Sequence, residues 1–143
     1  MRKLVASLAC RAGGSRLYGK PLQLLDIEGG LTVLDYLVEQ LSTEAGLAEC
    51  VLAVAEGPEN EPFHSIGAAQ GLRTLRGDET DVLGRHLLTA ELTEATDVFI
   101  VTTESPFTFY EAIEEAWQVH RENGNDVTAT DDLPEGSAFS IFT

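Results

Sequence analysis

The chain has 143 residues, one domain's worth, and at 43% hydrophobic content it can bury a core, which argues against extensive disorder. Its formal net charge of −15 argues against general nucleic-acid binding and against attachment to an anionic membrane surface. The charge is uneven, because Arg2, Lys3, Arg11, Arg16 and Lys20 all fall within the first twenty residues and only Arg73, Arg76, Arg85 and Arg121 follow. An acidic protein with one concentrated basic segment predicts a local anion site.

Lys3 to Cys10 is small and apolar without clean alternation, which predicts a strand buried on both faces of a parallel sheet. The same stretch is too short for a signal peptide, and Arg11 interrupts it where an apolar run should continue, so a cytoplasmic protein is expected. No apolar run reaches the roughly 18 residues that span a bilayer. A polar, Gly-rich loop follows from Arg11 to Lys20, then an apolar stretch from Leu22 to Ile27 broken by a turn at Glu28-Gly29-Gly30. Thr32 with Asp35 three residues on predicts a capping box and a helix carrying Val33, Leu34, Leu37 and Leu41.

Glu49 to Val54 reads as a second buried strand, Pro58 to Gly71 as a helix with a Gly cap, and Arg73 to Arg76 as a short strand. Asp81 to Ala95 predicts an amphipathic helix with Val82, Leu83, His86, Leu87, Ala90 and Leu92 near helical spacing. Asp97 to Val101 is a β-branched run and a third strand. Pro106 to Asn123 reads as a helix with Phe109, Ala112, Ile113 and Trp117 inward, and Ala138 to Thr143 as a strand inside which the chain stops, as though cut short. Strands alternating with helices predict one nucleotide-binding α/β domain over residues 1–143, Rossmann-like, with a mostly parallel sheet and helices on both faces. Cys10 and Cys50 lack metal-ligand spacing and read as buried thiols.

The loop Arg11-Ala12-Gly13-Gly14-Ser15-Arg16-Leu17-Tyr18-Gly19-Lys20 follows the first strand, where ligands of open parallel sheets sit. Glycines there let backbone N–H groups approach phosphate oxygens, arginine forks onto two of them, and lysine supplies a point charge. A polar surface turn needs the same glycines for geometry alone. Gly14 to Lys20 also spells G-x-x-x-x-G-K, the start of a P-loop, but Pro21 stands where a Mg²⁺-ligating Ser or Thr belongs. The strand ending at Val101 runs into Thr102-Thr103 rather than a Walker B acid.

Arg11-x-Gly13-x-x-Arg16-Leu17-x-Gly19-Lys20 resembles the R-x-G-S-x-R-L-P-G-K loop of the cytidylyltransferases that activate acidic sugars, the CMP-sialic acid and CMP-Kdo synthetases among them. It is most similar to the spore-coat polysaccharide branch. Gly14 and Tyr18 depart from the usual Ser and Pro. Gly77 to Arg85 resembles that branch's G-D-E-x-D-V-L-x-R segment, and Thr102 to Phe107 its T-G-D-C-P-L turn, with Glu104 in place of the metal-binding Asp. The likeness covers the chain as the first half of a family member.

The resemblance implies attack of a sugar hydroxyl on the α-phosphate of CTP with release of pyrophosphate, helped by Mg²⁺. Arg16 and Lys20 would neutralise the β- and γ-phosphates, and Arg11 would hold the α-phosphate region. Nucleotide contacts would come from Ala9, Cys10, Arg11, Ala12, Gly13, Gly14, Ser15 and Lys20, with Asp78 and Arg85 beside them; Glu104 would hold the metal. Arg85 equally suits an i, i+4 ion pair with Asp81. The partners implied are CTP, a sugar acceptor and a second copy of the chain. A P-loop-like NTPase and a non-catalytic nucleotide-binding module stay as alternatives.

Overall fold

The computed structural model describes residues 1–14, 17–130 and 132–143. Six strands form the main sheet: β1 (Leu4–Cys10), β4 (Glu49–Ala55), β5 (Arg73–Gly77), β6 (Asp97–Thr102), β7 (Val127–Ala129) and β8 (Ser140–Phe142). Their order is β5-β4-β1-β6-β8-β7. The first four run parallel, and β8 runs antiparallel between β6 and β7. A separate two-stranded hairpin, β2 (Leu24–Asp26) and β3 (Leu31–Thr32), occupies the apolar stretch and its turn. The mostly parallel α/β expectation holds.

The helices are α1 (Val33–Ser42), α2 (Glu61–Ala69), α3 (Val82–Thr93) and α4 (Ile113–Asn123). Thr32 and Asp35 form the expected capping box on α1. Gly71, at φ 75°, follows α2 as the expected cap. Leu4, Ala6, Leu8 and Cys10 share one face of β1 and pack with Leu34, Leu37, Phe63 and Ile113, so α1, α2 and α4 cover that face with the apolar core. Ser7 points the other way and meets α3, so helices lie on both faces.

Two helical expectations need correction. Residues 106–109 are not helical; a 3-10 turn at Tyr110–Ala112 leads into α4, and Phe109 stays exposed because its N–H donates to the Ser137 carbonyl across the loop. The larger correction is α3. Arg85, His86, Thr89 and Thr93 face the sheet, while Leu83, Leu87, Leu88 and Leu92 stay exposed. The cause is Ser7 in the middle of β1, which bonds Thr89 Oγ1 at 2.8 Å and His86 Nδ1 at 2.7 Å and so demands a polar partner face.

Burial, and to a lesser extent Arg85, pulls His86 down to about 4, so the imidazole is neutral in the fold. The unfolded chain therefore binds the extra proton first, and stability drops as pH falls from about 6.5 to 4. We expect that step to cost up to about 3 kcal/mol. Urea midpoints at the two pH values measure it, and His86→Gln removes most of the difference.

Candidate active site

The carboxyl ends of β1 and β6 open onto a cavity of about 490 Å³ lined by Ala9, Arg11, Glu79, Arg85, Thr103 and Glu104, among others. Thr103 donates both its N–H and its hydroxyl to the Ala9 carbonyl, at 3.1 and 3.0 Å, and so pins the turn after β6 to the end of β1. That turn carries Glu104 to the rim, where its Oε2 lies 3.4 Å from Lys20 Nζ. Two stretches more than eighty residues apart in the chain thus meet.

The loop is held from within. Ala12 N–H donates to Asn60 Oδ1 at 2.7 Å, and the Ala12 carbonyl accepts from Gly19 N–H at 2.8 Å. Gly19 takes the left-handed φ of 63° that glycine allows. Gly14 is a glycine for a different reason: a β-carbon there would stand 2.7 Å from the Leu17 carbonyl oxygen. After Gly19 the chain enters a 3-10 turn, Lys20–Leu22, and not a helix. A P-loop feeds a helix whose N-terminus binds phosphate, and this loop does not build that site.

Arg85 is the buried member. It is 1% exposed, yet its guanidinium reaches the cavity. One Nη donates to the carbonyls of Asp78 at 2.9 Å and Glu79 at 3.2 Å, and Nε has no partner among the described residues. Burial, then the charge of Arg11, pulls this guanidinium below its ordinary value. The expected ion pair with Asp81 does not form, because the Asp81 carboxylate accepts from Gly84 N–H at 2.7 Å and caps α3. Two guanidiniums thus converge on one cavity of an acidic protein.

The predicted residues divide by what they do. Ala9, Arg11, Arg85 and Glu104 line the cavity, and Lys20 reaches it through Glu104. Gly13 faces it, since a β-carbon there would meet Glu79 Oε1 at 3.8 Å. Cys10 is fully buried in the core, and burial pushes its thiol up to about 12, so no thiolate is offered. Ala12 has spent both backbone groups, its N–H on Asn60 and its carbonyl on Gly19. Asp78 turns inward as an Asx turn, accepting from Thr80 N–H, Thr80 Oγ1 and Asp81 N–H, which hold its carboxyl below the usual range. Its neighbour Glu79 takes the place at the cavity. Ser15 and Arg16 lie outside the described residues.

Comparison with known families places this architecture. A cytidylyltransferase family model matches residues 8–143. The chain belongs to the cytidylyltransferase family. Among solved structures, a cytidylyltransferase from Leptospira borgpetersenii serovar Hardjo-bovis superposes with a TM-score of 0.89 at 19% identity, over 100% of this chain and 61% of that one. A CMP:2-keto-3-deoxy-manno-octonic acid synthetase complexed with CTP gives 0.71 at 25% identity, over 87% and 50%. Rv0371c from Mycobacterium tuberculosis H37Rv, in complex with manganese, gives 0.63 at 14% identity, over 96% and 70%. The chain thus spans 61% and 50% of the length of the first two structures. Comparison with curated proteins returned no match.

Within this cytidylyltransferase chain, sequence reasoning named Asp78 and missed Asn60 and Glu79. Asp78 with Thr80 two residues on is an Asx-turn signal that would have assigned Asp78 to the turn. Asn60 has no local signal, because its partner Ala12 is 48 residues away. It is 1% exposed, and its amide also donates to the Glu56 carbonyl at 3.0 Å. Asn60→Ala strands the Ala12 N–H without a partner, so a loss of about 1–3 kcal/mol is expected in chemical denaturation. The loop also loses its anchor to the turn that leads into α2.

Proposed function

We propose that this site binds CTP and transfers its CMP moiety to the hydroxyl of an acidic or related sugar, releasing pyrophosphate. The observation that carries the reading is the convergence of Arg11 and Arg85 on one cavity, with Lys20 at its rim, in a family that transfers cytidylyl groups. Their mutual repulsion is relieved by a polyanion. In the proposed reaction the sugar oxygen forms a bond to the α-phosphorus as the bond to the β-phosphate oxygen breaks, and the chain's part is positioning and charge stabilisation.

Lys20 meets the charge that builds on the leaving pyrophosphate, Arg11 holds the α-phosphate region, and Arg85 adds a fixed positive charge at the cavity wall. The carboxylates there suit Mg²⁺, which takes one or two carboxylates together with phosphate oxygens. Glu104, with Glu79 beside it, would hold the ion, and Lys20 would then shift from Glu104 to the phosphates. When bound, Mg²⁺ neutralises charge on the phosphate oxygens. Manganese on Rv0371c supports a divalent cation in this fold. No group of three or more His, Cys, Asp or Glu side chains placed to hold a metal occurs among the described residues.

No helix of the described residues is long and apolar enough to cross a membrane. A cytoplasmic location enters the proposal from the reading of Lys3 to Cys10 as a buried strand, and assembly as a homodimer from the family resemblance. The test is pyrophosphate release from CTP and Mg²⁺ across a panel of acidic sugars. Turnover with at least one sugar is expected; CTP binding without turnover on any of them would favour a binding module.

A further inference from the structure

A second cavity, about 420 Å³, lies between α1 and the segment that follows Glu104. Tyr36, Phe107, Phe109 and Tyr110 line it together with Gln40 and Glu111. The Tyr36 and Phe107 rings meet edge to face at the cavity, with centroids 6.2 Å apart at 62°. The Tyr110 hydroxyl donates to the Pro106 carbonyl at 2.8 Å, which fixes that ring, and the Phe109 N–H is tied to the Ser137 carbonyl at 2.9 Å. Phe107 is nonetheless 70% exposed. No Lys or Arg is among the described residues that line the cavity, while Glu111 is.

We propose that this aromatic cavity binds an organic cation, a quaternary ammonium or alkylated amine group. The faces of aromatic rings carry negative potential, which attracts a cation held against them. A trimethylammonium group is apolar enough to leave water for such a cavity and charged enough to gain from it. The charge of the surroundings selects a cation over a neutral group of the same shape. Besides Glu111 at the wall, Glu44 and Glu114 stand close by: burial first, then the charges of Glu111 and Glu114, raise the Glu44 carboxyl above its ordinary value. A bound cation relieves that repulsion. The proposal stands apart from the CTP reading, since none of these residues lines the cavity at Arg11 and Arg85.

The test titrates the chain with choline and, separately, with 3,3-dimethyl-1-butanol, its neutral isostere, following ring resonances by NMR at constant chloride. Saturable choline binding is expected, at least tenfold tighter than the alcohol. Phe107→Ala should weaken it tenfold or more and Glu111→Gln several-fold, with CTP affinity unchanged in Phe107→Ala. Equal binding of alcohol and choline would mean an apolar groove only and would overturn the proposal. So would the absence of saturation, or choline affinity that survives Phe107→Ala.

Discussion

Lys20→Ala is expected to lower the rate of pyrophosphate release by about 10²–10³-fold, while CTP affinity falls only about tenfold. The two magnitudes differ because charge on the leaving group grows between bound nucleotide and transition state, so a cation facing it contributes more to kcat than to binding. Folding should hardly change. The Lys20–Glu104 pair is half-exposed, with side chains 40% and 36% accessible, and such pairs contribute little to stability. Initial rates over a range of CTP concentrations, with a thermal melt as control, separate the cases. A tenfold rise in KM at unchanged kcat would place Lys20 in ground-state binding alone.

Arg85→Met tests the buried cation. The long apolar side chain keeps the packing against Gly77, where the Arg85 stem lies so close that a β-carbon would meet its Cγ at 2.8 Å. Two opposing terms follow. The Asp78 and Glu79 carbonyls lose their donor, which costs stability, but a buried guanidinium with an unpaired Nε is also removed, which returns some of it. The net change should stay within about 2 kcal/mol. CTP affinity, by contrast, should fall about 100-fold, because a cation in a water-poor cavity wall acts on the phosphates with little screening. Calorimetric titration beside urea unfolding reads both. Unchanged CTP affinity would make Arg85 a structural tie for the Gly77–Thr80 turn and nothing more.

The outline of the fold was legible because its strongest signals are local. Leu4–Cys10, Glu49–Ala55 and Asp97–Thr102 are mostly apolar without alternation, with Ser7 the one polar residue inside them, and a strand buried on both faces produces such runs. Thr32 and Asp35 announced a helix start three residues apart. What failed was set by partners far off in sequence. The leucines of α3 suggested an inward apolar face, yet Arg85, His86, Thr89 and Thr93 also share a face, and only Ser7 on β1 decides between the two. The short strand Val127–Ala129 is exposed or half-buried at the sheet's edge, and no apolar pattern marks it. At the site, the loop Arg11 to Lys20 was found from composition and spacing. That Ala12 is spent on Asn60, and that Glu79 takes the cavity in place of Asp78, depends on backbone turns that residue types only hint at.

The central claim is that a cytidine triphosphate fills the cavity at Arg11 and Arg85. Calorimetric titration of the chain with CTP, UTP, GTP and ATP in the presence of Mg²⁺ tests it most directly. CTP should bind tightest, with affinity lost on chelating the metal. ATP or GTP binding tighter than CTP would contradict the account.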